Sequence, residues 1–215
     1  MTTLLIATRN AHKVGEIRAI LGGQFQFLTL NDFPAAPKVI EDADTFAGNA
    51  TKKAVELAQW LAAGAINHQP STISYVLADD SGLEVDALDG APGVHSARFA
   101  ALDKNENSSD VANNTKLLRL LENVEAEKRT AQFRCVIALV EIHPPSSILH
   151  PQIFDGACAG RIQFAARGHN GFGYDPLFVP DGFTQSFAEL GEEVKNELSH
   201  RAKALAKLKM FFTTK

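Results

Sequence analysis

Cysteine is scarce in this chain: Cys135 and Cys158 are the only two in 215 residues. Each lies in a strand-like stretch rather than in a Cys-x-x-Cys pair, which excludes a disulfide framework and a cysteine zinc site and predicts two buried thiols. Long apolar runs are absent as well. No stretch approaches the ~20 apolar residues of a membrane span, and the first apolar run, Leu4-Leu-Ile-Ala7, is too short for the core of a signal peptide. The expectation is a soluble, cytoplasmic protein with no membrane partner. Positive charge is not in excess either: the formal net charge is -4, so the chain has no general attraction for nucleic acid, and any polyanion must be met by a local cluster of cations. Internal repeats, low-complexity tracts and flexible linkers are missing too. What remains is a chain with 45% hydrophobic residues, able to bury a sizeable core as one domain or as two closely joined lobes.

The most informative stretch begins with an apolar run over 73–78 that meets two adjacent acids, Asp79 and Asp80, then Ser81 and Gly82. The run reads as a buried strand, and carboxylates at its carboxyl end would stand where open α/β sheets place ligands. The same four residues are also ordinary turn chemistry, because Asp and Ser bond their own backbone and Gly tolerates positive φ. This stretch alone does not decide between the two.

The chain opens as strand, loop and helix. Residues 4–7 predict a strand, and Thr8-Arg-Asn-Ala-His-Lys13 leads into a helix with Val14, Ile17, Ala19, Ile20 and Leu21 at helical spacing. Unpaired N–H groups at a helix start favour anions, so Thr8, Asn10 and Lys13 can offer a phosphate hydroxyl, amide and ammonium donors. The Walker glycines are absent, and Thr and Asn also serve as plain helix caps. The acids Glu41, Asp42 and Asp44 precede an amphipathic helix predicted over 45–63, whose buried stripe is Phe46, Ala50, Ala54, Leu57, Ala58 and Leu61. Acids there can be dipole partners or metal ligands.

Beyond Gly82, residues 83–88 alternate apolar and polar, Gly90-Ala-Pro-Gly93 predicts a turn, and 100–110 predicts an exposed loop. A helix is expected from Asp110 to about 122, with Val111, Leu117, Leu118, Leu120 and Leu121 as its apolar surface. Residues 130–142 and 148–162 are strand-like and form the best hairpin candidate, joined by a polar turn at 143–147. In Arg167-Gly-His-Asn-Gly-Phe-Gly-Tyr-Asp-Pro-Leu-Phe178 the glycines let backbone approach a flat or charged ligand, and Phe172 and Tyr174 offer stacking faces. The spacing is not the dinucleotide fingerprint. Near the carboxyl end, Ser199 predicts an N-cap that puts His200 and Arg201 in a first helical turn, where cations are unfavourable without an anion. Lys195, His200 and Arg201 therefore read as ligand binders, and the later lysines as a solvated face.

Taken together, Thr8-Arg-Asn-Ala-His-Lys13, Asp79-Asp-Ser-Gly-Leu-Glu-Val-Asp86, Gly90-Ala-Pro-Gly-Val-His-Ser-Ala-Arg98, Gly171-Phe-Gly-Tyr-Asp-Pro176 and Ser199-His-Arg201 closely resemble, in order and spacing, the inosine triphosphate pyrophosphatase family (Ham1 type). The resemblance covers nearly the whole chain. It implies hydrolysis of ITP, dITP and XTP-like triphosphates to the monophosphate and pyrophosphate, with magnesium as cofactor, in a homodimer. It also implies an elongated α/β fold, a single pyrophosphatase domain over residues 1–215 in which a long mixed sheet with flanking helices divides two lobes and the active site lies in the cleft. By position, Thr8, Arg9, Asn10 and Lys13 would bind triphosphate, Glu41 and Asp80 would hold magnesium, and Asp80 would act as proton acceptor beside Ser81. Phe172, Gly173, Tyr174, Asp175, Lys195, His200 and Arg201 would complete the substrate pocket. The chain departs from the pattern at Ile40 and Asp42, which flank Glu41 where paired acids are common, and at Ala100-Ala101.

The residue types suit the chemistry: attack of water on a phosphoryl group needs charge neutralisation and positioning, which carboxylate-held cations, Lys and Arg provide. Two alternatives stand beside this reading. One is a Maf-type pyrophosphatase acting on modified or pyrimidine nucleotides; the other is a non-enzymatic nucleotide or nucleic-acid-binding module using the basic C-terminal helix, which the negative net charge disfavours.

Overall fold

The computed structural model describes residues 1–63, 73–102, 107–142 and 150–214. Its elements are β1 (Thr2–Ile6), α1 (Ala11–Leu21), β2 (Phe25–Thr29), α2 (Phe46–Ala62), β3 (Tyr75–Val85), α3 (Asp110–Leu120), β4 (Thr130–Glu141), β5 (Gln152–Ile162), β6 (Phe178–Pro180), α4 (Phe187–Leu198) and α5 (His200–Thr213). Six strands form one mixed sheet in the order β2-β1-β3-β4-β5-β6. β1 is parallel to β2, with Thr2 opposite Phe25, and parallel to β3, with Leu4 opposite Tyr75; β6 is antiparallel to β5. Among the described residues no helix is long and apolar enough to cross a membrane.

The chain divides into two compact units, one made of Met1–Asp80, Val136–Asp155 and Ala204–Lys215, the other of Ser81–Cys135 and Gly156–Lys203. Each has its own core. In the first, Leu4, Leu5 and Ile6 of β1 and Val76, Leu77 and Ala78 of β3 are buried, as are the α2 residues Ala50, Ala54, Leu57, Ala58 and Leu61. Phe212 of α5 meets Phe25 and Tyr75 edge-on at about 5 Å, the offset geometry that aromatic quadrupoles favour. In the second, Leu83, Val85, Phe99, Leu117, Leu121, Phe133, Ile162, Leu177, Phe178 and Phe187 pack as one cluster. Burying a side chain of this size stabilises by ~1.5–3 kcal/mol. Cys135 and Cys158 are buried thiols, as their strand context predicts.

The structure corrects the reading of the central stretch. Asp79-Asp-Ser-Gly is neither a turn nor a strand end: β3 runs through it to Val85, and Tyr75 to Asp80 are all buried. β3 lies between β1 and β4 in the sheet and pairs with β1 at Tyr75, Val76 and Leu77, and continuation of the buried strand beyond that pairing outweighs the turn preference of Asp, Ser and Gly. Gly82 therefore lies in extended strand rather than at a permissive turn.

The α2 stripe is as expected, and all six of its predicted members are buried. The apolar faces of α1 and α3 are narrower than expected. In α1 only Ile17 and Leu21 are buried, and of the apolar residues of α3 Leu117 is buried, as is Leu121 just beyond it, while Val111 and Leu120 face outward. A helix resting against one neighbour buries a single stripe, so apolar residues off that stripe stay exposed. A 3-10 segment, Gly93–Ala101, takes in the first two residues of the loop predicted at 100–110, and α3 takes in its last, Asp110. β4 and β5 are sheet neighbours; the turn expected between them at 143–147 lies outside the described residues.

Candidate active site

In the first unit, β1 delivers the chain to the start of α1. Asn10 caps this helix: its Oδ1 accepts from the N–H of His12 (2.9 Å) and of Lys13 (3.2 Å), while Thr8 Oγ1 accepts from the N–H of Asn10 (3.1 Å). Both the capping and the anion-binding readings survive, because a hydroxyl that accepts keeps its own proton to donate, and an amide that accepts through oxygen keeps its NH₂. Arg9 is exposed. One turn into α1, the Lys13 ammonium pairs with the Asp79 carboxylate, whose side chain is almost wholly buried.

Asp80, the next residue of β3, faces a different lysine. Consecutive strand side chains alternate faces, and Asp80 lies 3.7 Å from Lys53 Nζ on α2. The same ammonium is 3.0 Å from Glu41 Oε2 and donates to the backbone oxygen of Asp79 at 2.6 Å. Asn49, one turn before Lys53, bonds to Asp80 and accepts from the N–H of Ala43 (2.9 Å), tying the acidic segment to the helix. Glu41 and Asp80 thus converge on one cation, here the Lys53 ammonium. Asp42 turns away to Lys52 at 2.6 Å on the surface.

Asp80 is the least settled group of this cluster. It is only 7% exposed, and its Oδ2 is buried with no hydrogen-bond partner. Burial pushes its carboxyl up to about 6, against the opposing pull of Lys53 and Lys13 and with a further upward push from Glu41. A buried carboxylate oxygen left unserved calls for a cation or an acidic proton. The donor set is all oxygen, which suits a hard divalent ion. Among the described residues no group of three or more His, Cys, Asp and Glu side chains converges, so such an ion would complete its shell with water and phosphate oxygens.

In the second unit, Ser199 caps α5 as its position predicts: its Oγ accepts from the N–H of Ala202 at 3.2 Å. This puts Arg201, 1% exposed, where its Nη2 donates to Ser81 Oγ at 2.7 Å. His200 stacks on Phe133 with ring centroids 4.8 Å apart and planes within 13°. Ahead of them, Asp175 Oδ2 accepts from Lys195 Nζ (2.5 Å) and from the N–H of Phe172 (2.8 Å), and Lys195 Nζ lies 4.4 Å above the Phe172 ring. Gly171 has a φ of +75°, and a Cβ there would strike the Asp175 carboxylate. Glycine is thus required for both conformation and space.

The sequence offers Phe172 and Tyr174 as equivalent stacking faces, and the structure separates them. Phe172 is half-buried, whereas Tyr174 turns into the core with only 4% exposed. Its hydroxyl donates to the backbone oxygen of Ser96 at 2.9 Å, and burial raises its phenol above the usual range. Ser96 in turn accepts from the N–H of Leu83 and donates to the carbonyl of Gly93. The Gly-Ala-Pro-Gly-Val-His-Ser-Ala-Arg motif therefore anchors the Phe172 loop.

Sequence reasoning missed Asn49 and Lys53. Both lie on the buried stripe of α2, one turn apart and among Phe46, Ala50 and Ala54, so a helical projection exposes them as polar residues on an apolar face.

The model of the Ham1 family matches residues 4–211. A dITP/XTP pyrophosphatase from Geobacter sulfurreducens is 50% identical over 210 residues, covering 97% of this chain and 96% of the relative. One from Desulforamulus reducens is 48% identical over 205 residues, covering 95% and 92%. Among solved structures, a HAM1 protein from Coxiella burnetii superposes with a TM-score of 0.80 at 35% identity over the whole of both chains, and the Staphylococcus aureus Ham1 protein with 0.78 at 35% identity over 99% of each. On sequence and fold alike, this chain belongs to the Ham1 family.

Proposed function

We propose that this protein hydrolyses non-canonical purine nucleoside triphosphates, ITP, dITP, XTP and dXTP among them, to the monophosphate and pyrophosphate. The relatives named as dITP/XTP pyrophosphatases support the reaction. The observation that carries it into chemistry is Asp80, a buried carboxyl near 6 with one oxygen unserved. A carboxyl held close to neutrality is poised to take the proton of an attacking water. Glu41 and Asp80 would hold magnesium, which when bound supplies charge neutralisation at the phosphoryl groups. Lys13 and Lys53 bring ammonium groups to the same carboxylates, and Thr8, Arg9 and Asn10 offer donors to the triphosphate.

In the second unit, Phe172 supplies a flat face for a purine, with Asp175 and Lys195 fixing its loop. His200 and Arg201 stand beside the base, and Ser81 touches substrate. A guanidinium only donates, so it suits the 6-oxo group; a 6-amino group sets donor against donor and leaves buried groups unpaired. A homodimer and a cytoplasmic location complete the proposal, on the family resemblance.

The test is pyrophosphate release from ITP, dITP, XTP, GTP and ATP with and without a magnesium chelator. Preference for the first three, lost in chelator, is the expected result; equal turnover of ATP, or release that persists in chelator, overturns the proposal.

A further inference from the structure

The Phe172 loop is held from a second direction by residues with no part in the motifs above. Asp110 and Asn114 stand four apart on α3 and so share one face. Asp110 Oδ2 accepts from the N–H of Gly173 at 2.7 Å, and Asn114 Nδ2 donates to the carbonyl oxygen of the same residue at 3.0 Å. One helix face therefore grips both polar groups of a single residue, and that residue has a φ of +63°. The next side chain, Tyr174, is tied to Ser96, and the N–H of the preceding Phe172 is tied to Asp175. Every peptide around the half-buried aromatic is thus fixed.

Two features separate this clamp from ordinary helix-end chemistry. Asp110 is the first residue of α3, where an acid complements the dipole, but the cap of that helix is already Ser109, whose Oγ accepts from the N–H of Ala112 at 3.2 Å. Asn114 also orients its amide toward Gly173 at a cost. Its Oδ1 is buried without a hydrogen-bond partner, so the Gly173 carbonyl dictates which way the side chain faces.

We infer that Asp110 and Asn114 are positioning residues for purine recognition: by clamping the Gly173 peptide they set the angle of the Phe172 ring, and with it the affinity for the base. The inference rests on the reading of the Phe172 loop as the base site. Because the Asp110 bond is exposed, its loss costs the fold little and falls on base affinity.

The experiment uses the full chain with Asp110→Ala, Asn114→Ala and Asp110→Asn, which keeps an acceptor oxygen. It reads KM and kcat for dITP, the Kd of inosine monophosphate by calorimetry, and the inhibition constant of inorganic tripolyphosphate, which has no base. The expected result is KM and Kd raised about 5- to 10-fold in both alanine variants, the scale of one hydrogen bond, with kcat and the tripolyphosphate constant within about 2-fold and Asp110→Asn near wild type. Unchanged KM and Kd in the alanine variants overturn the clamp while leaving the proposed function intact, as does a parallel loss of tripolyphosphate binding. A wild-type protein that binds inosine monophosphate but releases no pyrophosphate sinks the proposed function, and Kd alone then judges the clamp. A wild-type protein that binds no purine nucleotide overturns both.

Discussion

Asp175 and Asp80 are both buried and both face a lysine, yet their surroundings differ in kind. Asp175, in the second unit, lies against Lys195 and also accepts from the N–H of Phe172, so its carboxylate is served by a charge and a backbone donor. Asp80, in the first unit, has a lysine at the longer distance of 3.7 Å, an amide from Asn49 and a buried oxygen with no partner. The first arrangement holds a loop in place. The second is held ready for something else, since an unserved buried carboxylate costs the fold more than it returns. Satisfaction, rather than burial or charge pairing, separates a structural acid from a chemical one.

Substitution should send the two residues in opposite directions. Asp80→Asn is expected to lower kcat by about 10³-fold or more, the range for loss of a general base, while raising the melting temperature of the metal-free protein; a variant with near-normal turnover, or with a lowered melting temperature, breaks the comparison. Asp175→Asn is expected to take the carboxylate away from buried Lys195 and to destabilise by about 3 kcal/mol, seen as a drop in the denaturation midpoint and a raised KM for dITP. An unchanged midpoint would mean that Asp175 is no better served than Asp80.

Acidity offers a gentler probe. Burial pushes the folded Asp80 carboxyl up to about 6, from an ordinary 3.8, so its charged form is the costly one. As pH falls through 6 the folded protein takes up a proton that the unfolded chain does not yet bind, and the Asp80 contribution to stability grows until pH reaches about 4. The full effect is at most about 3 kcal/mol. Chemical denaturation of metal-free wild type and Asp80→Asn across this window should show the extra slope only in wild type. The smallest effect belongs to Asp42→Ala: the pair with Lys52 is exposed, and such pairs contribute about 0–1 kcal/mol, so melting and turnover should both stay near wild type if Glu41 alone joins Asp80 at the magnesium site.

The order of these groups along the chain was legible because chemistry leaves local marks. An apolar run meeting two acids flagged β3, a Ser before His200 and Arg201 flagged the start of α5, and glycines around Phe172 flagged a loop. What was not legible came from tertiary structure. Turn chemistry at Asp79-Asp-Ser-Gly lost to the continuation of a buried sheet strand through it. The inward turn of Tyr174 depends on the distant carbonyl of Ser96. Lys53 was hidden by the amphipathic pattern itself, because a stripe read for its apolar members passes over the polar residue among them, although that residue meets Glu41, Asp79 and Asp80 at once.

The interior position of Asp80 on β3, a strand with a neighbour on each side in the sheet order, has a consequence for how this chain can change. Surface loops absorb insertions and deletions; a central strand does not. Shifting β3 by one residue would exchange the faces of its side chains, delivering Asp79 toward α2 and Asp80 toward Lys13. The acid that is served and the acid that is not would trade places, so length changes between Tyr75 and Val85 should be far more damaging than most substitutions there.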